Sequence, residues 1–324
     1  MKAVVCRTFG PPESLVIDDI APRAIGKGEV RIAVKAAGVN FPDTLIIQGK
    51  YQLKAEPPFT PGGEIAGTAV EVGERIKHVK VGDAVAGLVP TGGYAEEVIA
   101  DGAAVMPLPK GISFNDAAAL PFVYGTSLHA LKQRANLKAG ETLLVLGAAG
   151  GVGLAAVQLG KLMGARVIAA ASTDEKLALC KLHGADEVVN YSKESLKESV
   201  KKLTKGQGAD VIYDPVGGDL AQDCFSAINW NGRYLVVGFA AGKIPEVALN
   251  RLLLKGASAV GVFWGAFVAR EPQVNAANFQ QLFAWYGEGK LKPHISATYP
   301  LADAPKALRD MLERKVTGKV LLLP

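Results

Sequence analysis

The alternation of apolar and polar positions divides the chain near residue 125. Before it, short β-type runs are broken by glycine and proline; they read EVRIAVKAAGVN (29–40), GEIAGTAVEVG (63–73), GDAVAGLVP (82–90) and GGYAEEVIA (92–100). Closely spaced short strands with turn residues between them are typical of a small antiparallel barrel or sandwich. The first third of the chain is therefore predicted to be a β-rich domain.

After residue 125 apolar runs alternate with helical patterns. Strands are predicted at 142–147, 166–171, 186–189, 209–214, 231–238 and 257–263, and helices at 151–163, 174–183, 193–203 and 219–228. Alternation of this kind predicts an α/β fold, a doubly wound parallel sheet with helices on both faces. A helix at 272–289, a strand at 292–299, a helix from about Ala302 and the final strand GKVLLLP do not extend the parallel pattern, so we expect this tail to pack back on the first domain.

Composition adds little to this picture. The 324 residues suggest about two domains, and 49% hydrophobic with 21% charged residues is ordinary for a globular protein. The net charge of +5 is scattered, and the densest basic stretch, KESVKKLTKGQG (197–208), reads as a solvated helix face, so no nucleic acid is expected. The longest apolar run, AVGVFWGAFVA, is shorter than the roughly 20 residues a membrane span needs. We expect a soluble cytoplasmic protein.

A glycine cluster, AAGGVG (148–153), lies between the first strand and the first helix of the parallel region. Gly150 lets a pyrophosphate approach the backbone, and Gly153 lets the helix pack close to the strand. The helix N-terminus supplies N–H groups and partial positive charge. Ala148 replaces the first glycine of the usual motif, and a turn without a ligand is the alternative. The position of the glycine cluster among six strand–helix units favours a dinucleotide site.

The end of the second strand predicts which dinucleotide binds. An NAD site usually places an acidic residue there to accept hydrogen bonds from the ribose hydroxyls. No Asp or Glu occurs between Val167 and Thr173, while Ser172, Thr173, Lys176 and, after the third strand, Tyr191 can bind a phosphate. An exposed helix lysine is the alternative interpretation of Lys176. Taken together, these residues favour NADPH over NADH.

Neither a metal site nor a serine nucleophile is predicted. None of the four histidines (His78, His129, His183, His294) pairs with a cysteine at ligand spacing. Ser127 and His129 are two residues apart on a predicted helix and should face different directions. His129 is therefore predicted to be a packing or surface residue.

Motifs along the whole chain resemble the zinc-independent quinone oxidoreductase (ζ-crystallin-like) branch of the medium-chain dehydrogenase/reductase superfamily. They are AAGVNFPDTLIIQGKY (36–51), PGGEIAGTAVEVG (61–73), VGDAVAG (81–87), AAALPFVYGTSLHAL (117–131), AGETLLVLGAAGGVGLAAVQLGK (139–161), HGADEVVNYS (183–192), DPVGG (214–218), GRYLVVGF (232–239) and TGKVLLL (317–323). Where zinc alcohol dehydrogenases carry a cysteine and a Gly-His-Glu motif, this chain has Gly38, Val39, Asn40 and Gly62, Gly63, Glu64.

The resemblance implies a GroES-like catalytic domain (1–123), a Rossmann NADPH-binding domain (124–264) and a C-terminal return (265–324). It also implies a homodimer joined through the Rossmann sheets, with NADPH in the interdomain cleft. It assigns catalytic positions to Asn40, Asp43 and Tyr51, with Asn40 near the nicotinamide and the other two on the substrate side. The predicted cofactor-binding residues are Tyr124, Thr126, Ala149, Gly150, Gly151, Val152, Gly153, Ser172, Thr173, Lys176, Tyr191, Gly238, Phe239, Phe263 and Lys319. For Tyr124, Phe239 and Phe263, core packing is the alternative.

The predicted activity is hydride transfer from NADPH to a quinone without a metal. Hydride addition leaves negative charge on the acceptor oxygen, and hydrogen-bond donors must stabilise it. Asn40 and Tyr51 are the candidates, with backbone N–H groups or water as alternatives. An enone or enoyl-CoA reductase would use the same hydride addition. A non-enzymatic, NADPH-binding structural or RNA-interacting protein is the alternative outside enzymes.

Overall fold

The computed structural model describes residues 1–52 and 54–324 and divides them into two compact units. The first unit comprises Met1–Phe122 and Lys292–Pro324, and the second comprises Val123–Leu291. No helix in the described part of the chain is long and apolar enough to cross a membrane.

Fifteen strands and eleven α-helices are present in the described residues. The strands are β1 (Lys2–Val5), β2 (Val16–Asp19), β3 (Glu29–Val39), β4 (Glu64–Val72), β5 (Ala84–Leu88), β6 (Glu97–Asp101), β7 (Val105–Pro107), β8 (Thr142–Val145), β9 (Arg166–Ala171), β10 (Glu187–Asn190), β11 (Ala209–Asp214), β12 (Ile228–Val236), β13 (Ser258–Gly261), β14 (Ile295–Pro300) and β15 (Lys319–Leu323). The helices are α1 (Phe41–Ile46), α2 (Phe114–Ala119), α3 (Pro121–Leu128), α4 (Gly151–Leu162), α5 (Asp174–Leu182), α6 (Leu196–Leu203), α7 (Leu220–Ser226), α8 (Asn250–Leu253), α9 (Trp264–Arg270), α10 (Pro272–Gly287) and α11 (Ala304–Leu312).

The first unit is built around the long central strand β3. Its sheet runs in the order β14-β15-β3-β4-β5-β7, with β6 also paired to β3, and all pairs except β14–β15 are antiparallel. Buried and half-buried side chains alternate along the first half of β3, whereas its last four residues are all buried. Those last residues are covered because α2 brings a run of alanines (117–119) against Ala36 and Ala66, and small side chains allow close packing.

The second unit contains the predicted parallel sheet. Its six strands follow the order β10-β9-β8-β11-β12-β13, and every neighbouring pair is parallel. This is the doubly wound order of dinucleotide-binding folds, in which the strand order reverses beside the first strand. The predicted α/β fold class is therefore confirmed.

Several boundaries differ from those predicted. The helix predicted at 193–203 begins at Leu196, because Ser195 caps it by accepting a hydrogen bond from the Glu198 N–H. Residues 265–291 group with the second unit, and the chain returns to the first unit at Lys292. Helix α10 stays with α9 because the Trp264 indole N–H donates to the Asn275 amide oxygen at 3.3 Å.

Candidate functional site

Three adjacent strands of the first unit bring Lys319, Asn40 and Glu64 together. In the register, Gly38 of β3 lies opposite Glu64 of β4 and opposite Leu321 of β15. Asn40 directly follows β3, and Lys319 is the first residue of β15. Residues far apart in sequence thus meet because the C-terminal strand pairs with β3.

A buried ion pair lies at the centre of this cluster. The Lys319 Nζ atom lies 2.7 Å from Glu64 Oε2, and the two side chains are 3% and 0% exposed. Lys319 Nζ also donates to Asn40 Oδ1 at 2.8 Å and to the Val39 carbonyl oxygen at 3.4 Å. The other Glu64 oxygen, Oε1, accepts the backbone N–H of Phe122 at 2.6 Å. Both charges therefore have several hydrogen-bond partners, as a buried ion pair requires.

Gly38 makes room for this carboxylate. A Cβ atom at Gly38 would lie 2.3 Å from Glu64 Oε2 and 2.6 Å from the Ala118 carbonyl oxygen. Any larger residue at this position would displace Glu64 or α2.

The Asn40 side chain is held on both sides. Its Nδ2 atom donates to Glu64 Oε2 at 3.0 Å and to the Gly38 carbonyl oxygen at 3.3 Å. Both amide hydrogens are thus used inside the protein. The predicted role of Asn40 as a donor to the acceptor oxygen requires one of these bonds to be exchanged.

Asp43 forms a second buried group next to Asn40. Its Oδ2 atom accepts the Asn40 backbone N–H at 2.8 Å and the Tyr94 hydroxyl at 2.7 Å. Burial raises the pKa of Asp43 to about 6, and the hydrogen bonds from Tyr94 and Asn40 oppose this rise. Burial and the nearby Asp43 carboxylate raise the pKa of Tyr51, which therefore keeps its proton at neutral pH. The three residues predicted to be catalytic thus lie close together, but their roles stay predictions.

Replacing Asp43 by asparagine should change how stability depends on pH. Since the pKa of Asp43 in the folded state, about 6, exceeds its ordinary value of 3.8, the folded protein binds the extra proton between these values. Stability is then lost as the pH rises from about 4 to 6. The amide oxygen of an asparagine side chain can still accept both hydrogen bonds. The free energy of unfolding of Asp43→Asn, measured relative to wild type, should therefore be about 1–3 kcal/mol higher at pH 7.5 than at pH 4.

Urea unfolding at the two pH values measures this difference. Asp303→Asn is the matched control, because Asp303 is exposed and its side chain makes no capping hydrogen bond. If both variants showed the same pH dependence, burial would not be what raises the pKa of Asp43.

The glycine turn of the second unit contains one more glycine than the motif predicted from sequence. Gly147 has φ +54°, and its carbonyl oxygen accepts the Gly150 N–H at 2.9 Å, closing a tight turn after β8. A Cβ at Gly153 would lie 2.3 Å from the same carbonyl oxygen, so Gly153 is needed for α4 to approach the turn. The spacing is therefore glycine at 147, 150 and 153. The first glycine of the motif is therefore Gly147, which makes the tight turn, and Ala148 does not replace it.

The predicted residues of the motif lie at the start of α4. Gly150 is its N-cap, Gly151 and Val152 begin the helix, and Ala149 is buried. Ser127 Oγ donates to the Val152 carbonyl oxygen at 2.9 Å and lies 2.9 Å from the Tyr213 hydroxyl oxygen.

His129 and Ser127 have different partners, and His129 is buried. It stacks on Phe267 with ring centroids 3.9 Å apart, and burial lowers its pKa. A neutral, stacked imidazole is a packing group and not a general base for Ser127.

Four predicted phosphate-binding residues lie at the carboxyl edge of β9 and β10. Thr173 Oγ1 accepts the Lys176 N–H at 3.3 Å and so caps α5, and the Tyr191 N–H donates to the Ala171 carbonyl oxygen at 3.2 Å. Ser172 is half-buried and directly precedes Thr173. These residues lie on neighbouring segments, and their phosphate-binding role stays a prediction.

Asp174 begins α5, as the sequence predicted. Its carboxylate accepts the Asn190 side-chain amide and the Lys193 ammonium, each at 2.6 Å. The Lys193 hydrogen bond, followed by that from Asn190, lowers the pKa of Asp174. Sequence reasoning missed Lys193, because the contact depends on how the segment after β10 lies against the start of α5.

The remaining predicted cofactor residues differ in exposure. Tyr124 and Thr126 are buried in α3, Gly238 and Phe239 are half-buried after β12, and Phe263 is 60% exposed before α9. The exposure of Phe263 differs from the core-packing alternative. Lys319 lies in the buried ion pair described above, so its three ammonium hydrogens already have protein acceptors.

No group of three or more His, Cys, Asp or Glu side chains in residues 1–52 and 54–324 is arranged to hold a metal ion. The three cysteines, Cys6, Cys180 and Cys224, are buried and unpaired with one another. The metal-free mechanism stays a prediction.

The chain matches two domain families and is similar to known proteins over its full length. Residues 26–110 match the alcohol dehydrogenase GroES-like domain, and residues 151–282 match the zinc-binding dehydrogenase domain. The quinone oxidoreductase-like protein 2 homolog of Nematostella vectensis is 43% identical over 325 residues, covering 99% of this chain and 88% of that protein. The quinone oxidoreductase of Pseudomonas aeruginosa is 35% identical over 324 residues, covering 100% and 99%.

A solved structure is similar over the same length. The crystal structure of Escherichia coli quinone oxidoreductase complexed with NADPH matches with a TM-score of 0.94 and 30% identity, covering 100% of both chains. The first unit is thus a GroES-like domain and the second a Rossmann domain. The chain belongs to the medium-chain dehydrogenase/reductase superfamily of oxidoreductases, in its quinone oxidoreductase branch.

Proposed function

We propose that this protein is an NADPH-dependent reductase that transfers a hydride to a quinone without a metal. The observation that carries the proposal is the glycine turn at residues 147–153, followed on the next strand by an acid-free end with Ser172, Thr173 and Lys176. The full-length similarity to quinone oxidoreductases supports the choice of acceptor. An enone or enoyl-CoA reductase and a non-enzymatic NADPH-binding protein are the alternatives that experiment must separate.

The residues of the second unit fit the proposed cofactor. The N-cap residue of α4, Gly150, makes no side-chain capping hydrogen bond, so the N–H groups of the first turn would bind the pyrophosphate. Ser172, Thr173, Lys176 and Tyr191 would bind the 2′-phosphate. When bound, NADPH supplies the hydride, and a proton from the protein or solvent completes reduction of the quinone to the hydroquinone.

The first unit supplies the hydrogen-bond donors in this proposal. Tyr51 is half-buried and stays protonated beside Asp43, so its hydroxyl can donate to the acceptor oxygen as negative charge develops. Glu64 and Lys319 hold the Asn40 amide by hydrogen bonds on both sides, so Asn40 can donate to the acceptor oxygen only after one of its own bonds is exchanged. Tyr51 is therefore the preferred donor, and Asn40 the second.

Gly150→Ala should separate cofactor binding from folding. The backbone of Gly150 has φ −75° and ψ 174°, which alanine adopts readily, and a Cβ would lie 3.3 Å from the Gly147 carbonyl oxygen. The free energy of unfolding should fall by less than about 1 kcal/mol. The Kd for NADPH should rise at least about tenfold, because the methyl group occupies the space through which phosphate reaches the N–H groups.

Urea unfolding and calorimetric titration with NADPH measure the two effects. Gly287→Ala serves as the control for binding, since a Cβ there has no heavy atom within 4 Å and should leave the Kd for NADPH unchanged. Unchanged NADPH affinity in Gly150→Ala would contradict the proposal that the pyrophosphate binds at this turn.

The activity itself is tested by loss of NADPH absorbance with two panels of acceptors, simple quinones and enoyl-CoA esters. Turnover of quinones alone supports the proposal. Turnover of the CoA esters alone assigns the enoyl-CoA reductase instead, and turnover of neither, with NADPH still bound, supports the binding role.

We further propose a cytoplasmic homodimer joined through β13. This strand ends the six-stranded sheet, and the segment before it exposes Leu253 and Leu254 by 79% and 72%. An exposed strand edge with apolar side chains beside it is suited to pair with a second copy. Sedimentation velocity distinguishes a dimer from a monomer.

A further inference from the structure

Asp174 is the acidic residue of α5 that follows the proposed phosphate-binding residues most closely in sequence. It comes directly after Ser172 and Thr173, and Asn190 and Lys193, which hold it, flank Tyr191. The Tyr191 N–H bonds to the Ala171 carbonyl oxygen, so all these residues lie at one edge of the sheet.

A free carboxylate at this edge would favour the wrong cofactor. It would accept hydrogen bonds from the ribose hydroxyls of NADH and repel the 2′-phosphate of NADPH. The absence of acid between Val167 and Thr173 is therefore not sufficient for NADPH preference, because Asp174 lies one residue further on.

Two different contacts restrain this carboxylate. Asn190 ends β10, is only 5% exposed, and has its own Oδ1 atom fixed by the Ser192 N–H at 3.1 Å. Its amide therefore holds Asp174 Oδ1 in a constant position at 2.6 Å. Lys193 Nζ binds the second oxygen, Oδ2, and supplies the opposite charge.

We propose that Lys193 is a specificity-determining residue, which acts by neutralising Asp174 while Asn190 fixes the carboxylate towards β10. This inference rests on the proposed NADPH-dependent function. Lys193 is a positioning residue here, since it acts on the cofactor through Asp174 and not by direct contact with the phosphate.

The expected effect is moderate because the pair is exposed. The Lys193 and Asp174 side chains are 66% and 62% exposed, so water and salt screen their charges. Uncovering one negative charge near the phosphate should weaken NADPH binding by about three- to tenfold at low salt.

The test is a double-mutant cycle of Lys193→Ala and Asp174→Asn, with the Kd for NADPH and NADH measured by calorimetric titration. Lys193→Ala should raise the Kd for NADPH about three- to tenfold and that for NADH less than about twofold. In the Asp174→Asn background the same lysine substitution should change the Kd for NADPH less than about twofold, because no carboxylate remains to be neutralised. Lys202→Ala, the loss of another exposed lysine at the end of α6, is the control and should leave both values unchanged.

The outcomes separate this inference from the function on which it rests. A wild-type protein that prefers NADPH but loses nothing on Lys193→Ala overturns the inference alone. An equal loss with and without Asp174 also overturns it, because Lys193 would then contact the phosphate directly. A wild-type protein that binds NADH more tightly overturns both.

Discussion

Lys319→Met is expected to lower the free energy of unfolding of the first unit by about 3–5 kcal/mol. The substitution leaves the Glu64 carboxylate fully buried without its cation, and Asn40 loses the donor to its Oδ1 atom. Glu64 keeps two neutral donors, the Phe122 N–H on Oε1 and the Asn40 Nδ2 on Oε2, which are too few to stabilise a full buried charge. Urea unfolding followed by circular dichroism measures the loss.

Two further variants show whether charge is the cause. The double variant Glu64→Gln/Lys319→Met removes both charges and should recover more than half of the lost stability, since no uncompensated carboxylate remains. Lys315→Met breaks an exposed pair with Glu313, whose side chains are 64% and 43% exposed, and should cost less than about 1 kcal/mol. Equal losses of unfolding free energy for Lys315→Met and Lys319→Met would show that the buried pair stabilises the fold no more than an exposed pair does.

Lys176→Ala should weaken NADPH binding by about 10- to 100-fold and leave NADH binding within about twofold. A hydrogen bond to a charged group is worth about 1.5–3 kcal/mol, and each 1.4 kcal/mol is a factor of ten in Kd. NADH has no 2′-phosphate, so the phosphate contact proposed for Lys176 is absent from its complex and the substitution removes nothing from it. Calorimetric titration with each cofactor measures the ratio.

Lys181→Ala is the matched control for this variant. Lys181 lies in the last turn of the same helix, α5, and is exposed, so its loss changes the net charge without touching the proposed phosphate site. An equal loss of affinity for both cofactors in Lys176→Ala would contradict a phosphate contact and point to a change in the helix itself.

Local sequence patterns predicted the second unit well. Buried parallel strands are continuous apolar runs, and β9 and β11 lie where those runs lie. Helix ends were predicted less accurately. The capping by Ser195 depends on side-chain geometry, which the spacing of apolar residues along the sequence does not predict.

The candidate site was only partly predictable, because its contacts depend on strand register and on turns. Asn40, Asp43 and Lys319 were identified through motif resemblance, but nothing local to Lys319 indicates that β15 places it against Glu64. Gly147 could have been found from the three-residue spacing to Gly150 and Gly153. The Lys193–Asp174 contact could not, because it joins the ends of two parallel strands across a helix.

The placement of β15 has a consequence for synthesis on the ribosome. The first 122 residues of the chain emerge early, yet the cation that balances Glu64 and the strand that pairs beside β3 are encoded at residues 319–323. At typical rates of elongation, roughly 10 to 40 seconds separate the two. During that interval the nascent first unit carries an uncovered strand edge and an unbalanced carboxylate. Its completion must therefore follow, and not precede, synthesis of the nucleotide-fold unit inserted within it.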